Sequence, residues 1–160
     1  LCPGSHLSLD FEIDFDNDLV SRQSLSIGVV NGSFAKELAR ARTFGFLRDV
    51  EALRAAGLAK GGSLENAIVV NGDKIMNEGG LRYDDEFVRH KMLDALGDLY
   101  LAGAAIIGGF QGTCSGHTTT NMLLKSLFAD PEAWKLDVLQ GPEALSAIDG
   151  GIYPELAETA

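Results

Sequence analysis

Asp85-Glu86-Phe87-Val88-Arg89-His90-Lys91-Met92-Leu93-Asp94-Ala95-Leu96-Gly97-Asp98-Leu99-Tyr100-Leu101 is the longest helical pattern in the chain, and the rest of the fold is read outward from it. Val88, Met92, Ala95, Leu96 and Leu99 recur at helical spacing and form one apolar stripe. At about 100° per residue, His90, Asp94 and Asp98 fall on a second stripe, roughly opposite the first. Asp84 or Asp85 opens this helix and Gly103 closes it.

N-terminal to it, Asn66-Ala67-Ile68-Val69-Val70 is a compact β-branched run that predicts a buried strand. Asn71-Gly72 marks a tight turn, with Lys74–Asn77 as the returning strand. A helix is expected over Arg48–Ala56, ended by Gly57 in a left-handed cap. Thr43-Phe44-Gly45-Phe46 breaks the pattern before it. Ser33 is expected to cap a helix over Phe34–Arg42. Ser24–Val30 predicts a short strand, and Leu9–Asp16 alternates apolar and acidic residues, the period of a strand with one wet face. C-terminal to the long helix, Ala105–Phe110 predicts a strand and Gly116-His117-Thr118 begins a helix to about Ala129. Pro131–Ala160 carries a weaker pattern, and its last residues are expected to be mobile. Interleaved elements without a strict βαβ rhythm predict an α+β fold. A small sheet packs against helices in two layers, with a strand–helix–strand unit inserted at about 43–77.

Composition sets bounds on function. The chain has 160 residues, 46% of them hydrophobic, enough for one domain with a proper core. A formal net charge of -10 without any basic run opposes nucleic-acid binding. No apolar stretch approaches the roughly 20 residues of a membrane span. Cys2 and Cys114 are too few for a disulfide framework, so a reducing compartment, the cytoplasm, is expected. No secretion signal is visible. Gly4-Ser5-His6 resembles the remnant of a cleaved expression tag, so residues 1–6 are set apart as a non-native start and His6 carries no functional weight.

His90 and Asp94, one turn apart, can aim an imidazole nitrogen and a carboxylate oxygen at one point, as a zinc ion requires of two ligands. A solvated His–Asp pair has the same spacing, and two ligands are fewer than the usual three or four. His117 reads either as a loop histidine bonded to backbone or as a general acid. Cys114 reads as a small core residue rather than a nucleophile, because nothing nearby lowers its pKa. Lys91 by itself is a surface lysine, and Phe44 and Phe46 by themselves are core aromatics.

Several segments together resemble UDP-3-O-acyl-N-acetylglucosamine deacetylase, the zinc amidase of lipid A synthesis. They are Arg40–Phe46, Gly61-Gly62-Ser63 before Ala67–Val70, Asn77-Glu78, Leu81-Arg82, Asp85–Asp94, Gly97-Asp98, and Ser115-Gly116-His117 with Asn121 beyond. The likeness runs from about Leu9 to Trp134 and implies the family's second, C-terminal domain at 7–160. His90 and Asp94 match two of three protein ligands of the catalytic zinc. His117 matches the histidine that protonates the leaving amine, and Asp98 the carboxylate that steadies its charged form. Thr43 matches a hydroxyl supporting the oxyanion, and Lys91 a cation near the substrate's hydroxyl and phosphate groups. Phe44 and Phe46 match aromatics flanking the substrate. Leu47, Val50, Ala59, Gly62, Ser63 and Val69 are expected to line an acyl-chain passage.

The family's N-terminal domain supplies a Glu-His pair, the general base and the third ligand. No Glu in this sequence is followed by His. The resemblance therefore implies a chain that depends on that domain and does not deacetylate alone. Its expected partners are the UDP-linked acylated glucosamine, inhibitors of that reaction and the N-terminal domain. Two further readings remain: an isolated ligand- or inhibitor-binding domain without metal or catalysis, and a structural domain in which His90 and Asp94 never meet a metal.

Overall fold

A computed structural model describes residues 1–30 and 32–138, and of Glu51 the backbone only. The expectation for Pro131–Ala160 therefore lies, from residue 139 onward, outside the described residues.

Alternation in the first strand builds the main sheet. In β1 (Leu7–Ile13), Leu9, Phe11 and Ile13 are buried while Asp10 is exposed. Strand β2 (Gln23–Gly28) pairs antiparallel with it, Leu9 opposite Ile27 and Phe11 opposite Leu25. On the other side β6 (Gly108–Thr113) runs parallel, Leu9 opposite Phe110 and Phe11 opposite Gly112. A parallel neighbour needs a crossover, and the chain between β1 and β6 contains the long helix α2 (Glu86–Leu99). Phe87, Val88, Met92, Ala95, Leu96 and Leu99 of α2 are buried in one core with Leu9, Phe11, Ile13 and Phe110. Each of these side chains larger than alanine contributes ~1.5–3 kcal/mol by leaving water. Helix α3 (His117–Ala129) buries Thr120 and Leu124 and packs on α2. The fold is α+β, with sheet and helices in layers.

A second three-stranded sheet stands beside the first. It comprises β3 (Thr43–Phe46), parallel to β4 (Ala67–Asn71), and β5 (Lys74–Ile75), antiparallel to β4, with α1 (Leu47–Ala55) crossing from β3 to β4. This is the strand–helix–strand unit read at about 43–77. Ile68 and Val70 alternate into the main core, and Val69 faces the other way, half-buried. Gly72 opens the two-residue turn with φ +61, a conformation costly for any residue with a Cβ.

Three expectations change, while the aromatic stretch at Thr43–Phe46 forms the opening strand of the second sheet, its backbone satisfied by pairing with β4. The helix after Ser33 is a single wide turn, Phe34–Leu38, and the Ser33 hydroxyl accepts from the Val30 amide instead of capping it. The strand expected at Ala105–Phe110 lies at Gly108–Thr113, where alternate positions meet the core. Cys114 is exposed with φ +47, not a core residue, because it makes the left-handed turn between β6 and α3. At the sheet edge, Cys2 forms an antiparallel bridge with Gly109.

Candidate active site

Helix α2 carries His90, Lys91, Asp94 and Asp98 on the side away from its core stripe. That side is not solvated: the side chains of His90, Asp94 and Asp98 are only 14%, 19% and 12% exposed. Their cover comes from β3 and α3. The Phe44 ring meets the His90 ring edge-on at 6.3 Å and the Phe87 ring at 5.0 Å. From the start of α3, His117 places Nδ1 3.0 Å from both oxygens of Asp98. Its Nε2 lies 3.9 Å from Asp94 Oδ2. Asp94 is the hub: Oδ1 is 3.2 Å from His90 Nε2, and Oδ2 accepts from Lys91 Nζ at 2.8 Å.

The His90 pKa is lowered, first by burial, with Lys91 and His117 adding to that, while Asp94 and the Ala41 backbone oppose it. The neutral imidazole is thus the resting form at neutral pH. Its Nδ1 is buried and closes no hydrogen bond of regular geometry, so the Ala41 backbone influences it without capping it.

These facts permit a test for a metal. Two donors each ~2.0–2.1 Å from a tetrahedral zinc stand about 3.3 Å apart. His90 Nε2 and Asp94 Oδ1, at 3.2 Å, fit that separation, and a neutral imidazole is the form that ligates. The described residues contain no group of three or more His, Cys, Asp or Glu side chains able to hold a metal. Among the described residues, His90 and Asp94 have the separation of two such donors, with no third beside them.

The other expected residues are distributed as follows. Thr43 is exposed at the start of β3, next to Phe44. Phe46 lies 6.1 Å from the Phe15 ring and under the Arg48 guanidinium at 5.1 Å. Leu47 and Val50 belong to α1, and Ala59, Gly62 and Ser63 are exposed between α1 and β4. The Ser63 hydroxyl accepts from the Glu65 amide, so it serves its own turn.

Two features were missed in the sequence. Glu86 is fully buried and bonded to Arg42, and nothing in its position as a first-turn helix acid announces that. Ser115 Oγ is buried without a partner just ahead of His117. A Cβ on Gly112 would approach it to 2.8 Å and Phe11 to 2.6 Å, so only glycine lets that loop settle on the sheet.

The profile of the family "UDP-3-O-acyl N-acetylglycosamine deacetylase" (LpxC) matches residues 1–129. The chain belongs to the UDP-3-O-acyl N-acetylglycosamine deacetylase family. Relatives named UDP-3-O-acyl-N-acetylglucosamine deacetylase include one from Phenylobacterium zucineum, 49% identical over 136 residues, covering 85% of this chain and 46% of the relative. One from Marinobacter nauticus is 53% identical over 136 residues, 84% of this chain and 45% of the relative. One from Chromohalobacter salexigens is 52% identical, with coverage of 84% and 45%. The chain thus spans less than half the length of these deacetylases. Among the described residues no helix is long and apolar enough to cross a membrane.

Proposed function

We propose that this chain is the C-terminal catalytic half of a zinc-dependent amidase that removes the N-acetyl group from UDP-3-O-acyl-N-acetylglucosamine in lipid A synthesis. The observation that carries the reading is the 3.2 Å approach of His90 Nε2 and Asp94 Oδ1, with His117 Nε2 3.9 Å from the other oxygen of the same carboxylate. His90 and Asp94 would hold the zinc. When bound, it lowers the pKa of water toward about 7 and polarises the amide carbonyl.

The chain's own residues divide the remaining work. The Asp98 carboxylate can only accept, so Nδ1 of His117 is the donor in that contact and Nε2 is left facing the site. A proton on Nε2 is then held where a departing amine needs it. The Thr43 hydroxyl, if turned to the tetrahedral oxyanion, supplies ~2–4 kcal/mol. Lys91 adds a fixed positive charge beside Asp94 for the substrate's hydroxyl and phosphate groups. Phe44 and Phe46 flank the sugar and exclude water. Leu47, Val50 and Val69, with the chain at Ala59, Gly62 and Ser63, line the acyl passage, where each buried methylene contributes ~0.8 kcal/mol.

The N-terminal domain of the family supplies the third ligand and the glutamate base, so the 160-residue chain binds zinc weakly and does not turn over. Two measurements on the purified chain test this. Zinc titration should show uptake that His90→Ala abolishes, and incubation with UDP-3-O-acyl-N-acetylglucosamine should release no acetate. Zinc uptake indifferent to His90→Ala sinks the metal assignment, and acetate release by the chain alone sinks the division of labour. The alternative of a metal-free inhibitor-binding domain predicts analogue binding that zinc removal leaves unchanged.

A further inference from the structure

We infer that Arg42 and Glu86 form a positioning pair, which locks the Thr43–Phe44 end of β3 onto the first turn of α2 and so sets where His90 sits. The inference deepens the reading above and rests on it for the role of His90 as a ligand. Glu86 is the first residue of α2, one turn before His90 and two before Asp94. Arg42 immediately precedes Thr43.

Between them the contact is a fork. Arg42 Nε donates to Glu86 Oε1 at 2.9 Å and Nη2 to Oε2 at 3.0 Å. The backbone amide of Arg42 also donates to Oε1 at 2.9 Å, so the backbone entering β3 is itself pinned. The Arg82 amide reaches Oε2, and Arg42 Nη2 donates to the Gly80 carbonyl at 2.8 Å, which fastens the turn leading into α2. The side chains are 9% and 0% exposed, so water offers no substitute partners. Burial pushes the Glu86 carboxyl up, but the bonds from Arg42 and the Arg82 amide outweigh it and hold the group below its ordinary range.

A surface contact between β3 and α2 could slide. This one cannot, because the planar guanidinium and carboxylate accept only one register. The consequence lies one residue before Arg42 and two residues after it. Phe44 is carried onto the His90 ring, and the Ala41 backbone beside His90 Nδ1 is carried with it. Neither residue of the pair touches the reacting groups, so both act through Thr43, Phe44 and His90.

Three variants of the chain test this: Glu86→Gln, Arg42→Lys, and the apolar double variant Arg42→Met with Glu86→Leu, which leaves no unpaired buried charge. Ile13→Val serves as a control for lost stability alone. The readouts are the nuclear Overhauser contact between Phe44 and His90 rings in the metal-free chain, and zinc affinity by titration with the metal alone. The expectation is that contact weakens and affinity falls about tenfold or more in the variants. Signals of Leu9 and Phe110 in the main sheet should stay in place. Variants that fold with the ring contact and affinity intact overturn the inference, as does an equal loss in Ile13→Val. If no variant folds, the pair is a folding determinant and the positioning role is refuted. A wild-type chain that takes up no zinc refutes the functional reading, while the ring contact still decides this one.

Discussion

Helices α1 and α2 begin in similar chemical surroundings, each with an acidic first turn and a mixed apolar face, yet they end in opposite situations. Helix α2 buries Phe87, Val88, Met92, Ala95, Leu96 and Leu99 between the main sheet and α3. Helix α1 leaves Leu47 and Leu53 partly in water, at 36% and 40% exposure, and Leu58 and Leu64 beyond it are more exposed still, at 57% and 49%. A nine-residue helix is marginal by itself, so α1 is held by β3 and β4, whose Phe44, Ile68 and Val70 are lent to the main core. The polar groups of His90, Lys91, Asp94 and Asp98 sit on the well-buried helix, where packing fixes their geometry. Under the proposed function, the less covered unit would offer its apolar side chains to the acyl chain.

That contrast can be broken most directly by truncating side chains. Phe87→Ala should cost ~3–5 kcal/mol in urea unfolding, whereas Leu53→Ala should stay within about 0.5 kcal/mol. A large loss for Leu53 would mean that α1 is as well buried as α2. Gly112→Ala should cost ~1–3 kcal/mol, because the new Cβ meets Phe11 and Ser115. His117 signals should move in the same variant, and unmoved signals would separate the loop from the sheet beneath it.

Hydrogen exchange sharpens the comparison without mutation. Amides of α2 should exchange only with global unfolding, and those of α1 through a smaller local opening. Equal protection would contradict the picture of one core and one appended unit.

The smallest expected effect is that of pH. In the fold the His90 pKa is lowered, mainly by burial, so the unfolded chain binds more protons just below its ordinary value of about 6.5. The stabilising preference for neutral His90 is complete above that pH and is lost as pH falls toward the folded value. Glu86, also lowered, adds a loss of the same sign only in the more acidic range below about 4.5. Unfolding midpoints from pH 8 to 4 should therefore decline first near 6.5, and His90→Gln should remove that first decline. A decline unchanged in His90→Gln would assign it to another group.

The sequence by itself determined the elements and the family. The period-2 run at Leu9–Asp16, the helical stripe from Val88 to Leu99 and the β-branched run at Ala67–Val70 each encode one local geometry and one buried face. They could be read because side-chain spacing is a local property. The i, i+4 placement of His90 and Asp94 was legible for the same reason. Tertiary structure alone decided that this face is covered rather than wet and that Glu86 is a buried partner of Arg42, while the bond from His117 to Asp98, 19 residues apart, was implied by the resemblance and not by any local pattern. Those outcomes depend on which elements pack together, and packing is settled by the whole core at once, not by any stretch of chain.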